Sequence, residues 1–204
     1  SFDTGKTQSL EWRKSQLKAL ERLEQMQKRD FCEMYSVIQN KPIIIRLLDY
    51  PLHELLSGAE DHLDELSEVT KIDQEHLKQK IEDYHETNPM LGHRSVRLGI
   101  THPEIYRMQV RAILSTAKEF NNSTDNKCVT PHIEIPLVCL VNEVKNMERL
   151  VRKEAEKLGF SRGGYSSNGD NRYRLGIMYE LSGASFEADN LARVSDFGSF
   201  GTND

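Results

Sequence analysis

The chain has 204 residues, a net charge of −5, and 37% apolar and 29% charged side chains, the profile of a soluble globular domain large enough to bury a core. No apolar run approaches the roughly 20 residues of a membrane helix, residues 1–9 hold no apolar signal region, and no concentrated basic face suits nucleic acid. The three cysteines form no CxxC pair and the seven histidines no HExxH pair, so a reducing, cytoplasmic setting is expected and neither a disulfide framework nor a zinc site is.

Residues 9–29 read as a charged amphipathic helix, with Leu10, Leu17, Leu20 and Met26 near one face and Ser9 as its cap. Residues 42–48 form a nearly continuous apolar run broken by Arg46, the pattern of a buried parallel strand, and Pro51 ends it. Residues 60–69 and 73–85 read as two polar helices, lined by Leu63, Leu66 and Val69 and by Leu77, Ile81 and Tyr84. They predict a solvated helical excursion over residues 52–88. A short strand is expected at 97–100, then a helix opened by Pro103 and Glu104 and running to about Phe120.

A strand follows at 132–138. Asn142 is expected to cap a helix whose apolar face is Val144, Met147, Val151 and Leu158, and Gly159 to end it. Residues 163–169 read as a glycine-rich loop, 174–180 as a strand, 186–194 as a helix and 197–201 as a last strand. Strand and helix thus alternate about five times, which predicts an α/β fold with a parallel sheet, either a barrel or an open doubly wound sheet.

In such folds chemistry sits at the C-terminal ends of the strands. There the sequence places Arg46 and Asp49, Arg94 and Arg97, Pro136, Glu180, and finally Asn203 and Asp204. Arginine forks suit phosphate or carboxylate oxygens, and Glu and Asp at neighbouring strand ends are hard ligands for Mg²⁺. The set suits a phosphorylated carboxylic acid held on magnesium, whereas ordinary salt bridges capping a sheet would use the same residues. Gly5-Lys6-Thr7 lacks the first glycine of a phosphate loop and the strand before it, and is read as a loop leading into a helix. Cys139 is read as a small structural residue just past a strand end, and His93 as the one histidine near the site.

Five blocks of the chain resemble pyruvate phosphate dikinases, members of the PEP-utilising enzymes, in family order. Residues 46–54 are similar to RLLDPPLHE, 88–98 to NPMLGHRGCRL, 134–138 to part of EIMIPLV, 176–180 to GTMIE, and 199–204 match SFGTND. The resemblance implies a (β/α)₈ TIM-type barrel, here incomplete with about five strands present, as one domain over 1–204 with a helical insertion at 52–88. It implies Arg46 and Arg94 as anion-binding arginines, Glu180 and Asp204 as Mg²⁺ ligands, and Gly201, Thr202 and Asn203 as substrate-lining residues.

The implied reaction makes phosphoenolpyruvate (PEP) from pyruvate, ATP and phosphate through a phosphohistidine. The implied partners are pyruvate or PEP, the phosphohistidine and ATP-grasp domains, and a second copy in a homodimer. No segment of the 204 residues resembles those two domains, the RTEHMF strand or the CGEHGG loop with its proton-donating cysteine, so no catalytic proton donor is expected here and the fragment alone is expected to be inactive. Tyr50 stands where the family has proline, Ser95 where it has glycine, and Leu181-Ser182 where it has Pro-Arg. PEP synthase, enzyme I of the phosphotransferase system and an inactive remnant are the alternatives; Pro51-Leu52-His53-Glu54 followed by helices favours the dikinase over enzyme I.

Overall fold

The structure, a computed structural model, describes residues 4–38, 41–51, 56, 58–83, 92–123, 128–164 and 171–202. They fall into two compact units, one of Ser1–Arg22 with Tyr50–Arg94 and a larger one of Leu23–Asp49 with Ser95–Asp204.

The larger unit is built on a five-stranded, wholly parallel sheet: β1 (Ile43–Arg46), β2 (Pro131–Ile135), β3 (Ser161–Arg162), β4 (Arg172–Tyr179) and β5 (Phe197–Phe200). Strand β2 lies between β1 and β4, β3 joins the start of β4, and β5 joins its end. Arg46, Glu134, Gly176 and Phe197 stand side by side in one row across β1, β2, β4 and β5. The sheet does not close into a barrel among the described residues.

Its two faces differ as the period of two dictates. Ile43, Ile45, Ile133, Ile135, Leu175 and Ile177 are buried in one core with the helices. The other face carries Arg46, His132, Glu134, Arg174, Met178 and Ser199. Strand β1 therefore alternates, with Ile44 53% exposed, rather than being buried on both sides as its apolar run suggests.

Helices cover the apolar face. Helix α1 (Thr4–Ile38) is longer at both ends than the pattern predicts, so Ser9 lies inside it and does not cap it, and Gly5-Lys6-Thr7 is helical rather than a phosphate loop. Its last part is anchored by Phe31 and by fully buried Tyr35, whose hydroxyl donates to the Ile113 carbonyl at 3.0 Å. Ion pairs Lys28–Glu119 (2.7 Å) and Arg111–Glu24 (2.8 Å) hold the same stretch to the helix at 103–123.

In the smaller unit, a 3₁₀ turn (Ala59–His62) leads to α2 (Leu63–Thr70) and α3 (Gln74–Asp83), neither with a buried residue. The two polar helices expected here are thus helical and hold no buried residue over their described part.

Residues 97–100 are not a strand. They belong to α4 (Ser95–Thr101), where Val96, Leu98 and Gly99 are buried. A four-residue apolar stretch carries too little periodicity to separate the two states; here Gly99 lies flat against the Tyr106 ring, which leaves no room for a Cβ.

Pro103 and Glu104 open α5 (Pro103–Ser123) as expected. Helix α6 (Val141–Leu158) ends at Gly159 in the left-handed conformation, which glycine adopts without steric cost. Its start is closed by Glu143 rather than Asn142: the Glu143 carboxylate accepts from the N–H groups of Cys139 and Leu140 at 2.8 Å each. The helix expected at 186–194 is two short pieces, α7 (Ser182–Phe186) and α8 (Ala188–Ala192).

Candidate active site

Parallel pairing sends every strand's C-terminal end the same way, so residues far apart in sequence meet at one edge. Arg46, the last residue of β1, reaches across β2 until its Nη1 lies 3.4 Å from Met178 Sδ near the end of β4, and it also lies 3.5 Å from Asp49 Oδ2. Sulfur accepts only weakly and the arginine side chain is 45% exposed, so its fork retains donors for an incoming anion.

Glu180 follows β4 directly and is buried. Its Oε1 accepts from the Leu137 N–H, and Leu137 itself stands at φ 56. A bulky residue rarely takes that left-handed backbone. The turn after β2 thus aims an amide at the carboxylate, a charge-assisted bond that fixes its direction.

Gly201, just after β5, donates its N–H to the Tyr179 carbonyl at 3.0 Å. A Cβ there would stand 2.8 Å from Glu180 Cβ, 3.2 Å from Glu180 Oε2 and 3.4 Å from Met178 Sδ. The glycine is therefore needed for the close approach of β5's end to Glu180. Arg46, Met178, Glu180 and Gly201 form one connected group at the strand ends: Arg46 touches Met178 Sδ, and Met178 Sδ and Glu180 both lie against Gly201.

Of the other expected residues, Thr202 is in the exposed turn after Gly201. Arg94 lies in the turn before α4, where its N–H donates to the Gly92 carbonyl at 3.2 Å, within the smaller unit, and His93 is beside it. Asn203 and Asp204 lie outside the described residues. Arg97 is on α4 rather than at a strand end. Cys139 packs its sulfur against Gly183, as a small structural residue would.

Sequence reading missed Met178, whose role as the shared neighbour of Arg46 and Gly201 depends on strand order, and the Leu137 amide, which no side chain advertises.

Glu180 supplies hard carboxylate oxygens, one held by an amide and the other turned to Gly201, and that fits a magnesium ligand. Among the described residues no three of His, Cys, Asp and Glu gather to hold a metal.

Residues 7–204 match the family described as PEP-utilising enzyme, PEP-binding domain. The chain belongs to that family. Its curated relatives include pyruvate, phosphate dikinase of Rhizobium meliloti, 41% identical over 186 residues, and that of Clostridium symbiosum, 39% identical over 186 residues. The chloroplastic pyruvate, phosphate dikinase of Mesembryanthemum crystallinum is 39% identical over 188 residues. In each case 91% of this chain is matched, while it spans about a fifth of the relative's length. The mixed α/β fold with its parallel sheet agrees with a PEP-binding barrel domain that is not closed. Among the described residues no helix is long and apolar enough to cross a membrane.

Proposed function

We propose that the strand-end group of this PEP-binding domain binds PEP or the enolate of pyruvate together with Mg²⁺, as the barrel part of a pyruvate phosphate dikinase. The observation that carries the reading is the gathering of Arg46 on Met178 Sδ with Met178 and Glu180 against Gly201, one cation for an anionic oxygen and one carboxylate for a metal. The dikinase relatives support this activity over PEP synthase or enzyme I.

In the proposed arrangement Arg46 and Arg94 bind the phosphate and carboxylate oxygens of the ligand. Glu180, held by the Leu137 amide, and Asp204 hold Mg²⁺, while Gly201, Thr202 and Asn203 line the substrate. Magnesium, when bound, would offset the negative charge of the enolate. The protein's own contribution is to fix an arginine and a carboxylate in advance, so that little reorganisation is needed as charge moves.

The phosphoryl group passes from a histidine nitrogen on a partner domain to the enolate oxygen of pyruvate: the N–P bond breaks, an O–P bond forms, and the histidine, which carries a proton on its other ring nitrogen, leaves as neutral imidazole. The phosphohistidine and ATP-grasp domains, and a homodimeric state, are part of the same proposal. The test is calorimetric titration of PEP and of oxalate with and without Mg²⁺. Glu180→Gln is expected to abolish the Mg²⁺-dependent part of binding, and a variant that binds as the native chain does would overturn the assignment.

A further inference from the structure

Ser95 stands at φ 52, fully buried, as the first residue of α4. A residue with a Cβ is disfavoured in that left-handed backbone, which glycine takes freely. Something must offset the strain, and the structure gives it: the Ser95 hydroxyl donates to Asp49 Oδ1. The other oxygen of the same carboxylate, Oδ2, is the one 3.5 Å from Arg46 Nη1. A buried hydroxyl, a carboxylate and the strand-end arginine thus stand in one chain of contacts.

The chain itself is rigidly mounted. Between Arg46 and Asp49 the backbone is clamped on both polar groups of Leu48: its N–H donates to Gln109 Oε1 at 2.9 Å, and its carbonyl accepts from the Tyr106 hydroxyl at 2.8 Å. Leu47 N–H donates to the Glu134 carbonyl at 2.9 Å. Tyr106 is fully buried and Gln109 nearly so, both on α5. The Arg46 side chain is the most exposed member of this chain of contacts, nearly half so, and ends in a fork that turns about several bonds. Asp49 restrains that fork, and Ser95 restrains Asp49.

We infer that Ser95 is a positioning residue for Arg46: through Asp49 it holds the guanidinium in the direction it needs for an anion, before the anion arrives. This deepens the reading of Arg46 as the anion-binding arginine and rests on it, but the device is built into the chain whether or not the ligand is PEP. A preorganised fork loses less freedom on binding than a mobile one. A purely structural role makes the opposite prediction. Glycine would relieve the backbone strain at position 95, so Ser95→Gly would leave the protein unchanged or steadier.

The experiment is ¹⁵N NMR of the arginine guanidinium groups in the full chain, with the rotation rate about the Arg46 Nε–Cζ bond as the readout. Native protein, Ser95→Gly and Ser95→Ala are compared, with Arg46→Lys to assign the signal. Loss of the hydroxyl is expected to speed rotation several-fold in both variants, although only glycine relieves the strain; an unchanged rate in Ser95→Gly overturns the inference. Oxalate titration with Mg²⁺ then reads the consequence. Ser95→Gly is expected to weaken affinity about tenfold, as losing a bond to a charged group would, and to have no further effect in an Arg46→Ala background. Equal weakening in both backgrounds also overturns it. Oxalate binding by Arg46→Ala at native strength would instead refute the anion-site reading, while the rotation rate still decides the positioning claim.

Discussion

Gly201→Ala tests whether the end of β5 really lies against Glu180. The glycine has no left-handed backbone requirement, so alanine is conformationally allowed. With no steric neighbour the change would stabilise the protein by about 0.4–1 kcal/mol through the unfolded chain. The structure gives the opposite sign. The new methyl would lie 2.8 Å from Glu180 Cβ, where carbon atoms at rest keep about 3.5–4.0 Å, so the two must part by roughly 0.7 Å or more. Glu180 Cβ is the root of a side chain and cannot swing aside, so the strand ends themselves must give. Overpacking of this kind costs about 1–3 kcal/mol, and the net loss after the unfolded-state gain is about 1–2 kcal/mol. For a chain of this size that lowers Tm by roughly 2–8 °C. Thermal unfolding followed by circular dichroism measures it directly. A Gly201→Ala protein melting at or above the native temperature would refute the contact, and with it the geometry assigned to Glu180.

Other consequences are as direct. Arg46→Ala should weaken oxalate binding in Mg²⁺ by about 10–100-fold, as loss of a charged hydrogen-bond donor does, while Tm stays within a degree or two because the side chain is half exposed. His132 is held below its ordinary range by burial and then by Arg174, with Asp196 opposing. The unfolded chain therefore takes up its proton first, and stability should fall as pH drops below about 6.5; urea midpoints between pH 5 and 8 should flatten in His132→Gln. Burial pushes the Tyr173 hydroxyl up to about 12, so its contribution should be lost as pH rises above about 10, and Tyr173→Phe should reduce that alkaline loss in the same measurement.

Much of this architecture was legible from pattern alone, and the exceptions have physical reasons. The runs at 43–48, 132–138 and 174–180 read as strands because parallel strands buried against helices keep their apolar side chains close together. Arg46 and Glu180 were legible as strand-end residues because a charge closing an apolar run has few other places to go. Residues 97–100 misled because four residues cannot show a period, and the packing of Gly99 on Tyr106 that settles the helix is tertiary. The start of α1 misled because Ser9 looks like a cap while the helix continues through it. Nothing local could reveal that Met178 joins Arg46 to Gly201, since that follows from β2 lying between β1 and β4. Ser95 stood out only as a substitution for glycine, and its bond to Asp49 belongs to the folded chain.

In the proposed function an anion and a divalent cation bind together at the C-terminal ends of β1, β4 and β5. Mn²⁺ can replace Mg²⁺ as a paramagnetic probe, and amide line-broadening on adding Mn²⁺ with oxalate shows where the ion sits. The eight residues of β4 span about 26 Å, so the two ends of the sheet are well separated. Strong broadening is expected at Leu137, Glu180 and Gly201 and none at Ile43, His132 and Tyr173, with the effect lost in Glu180→Gln. Broadening centred elsewhere, or unchanged in that variant, would contradict it.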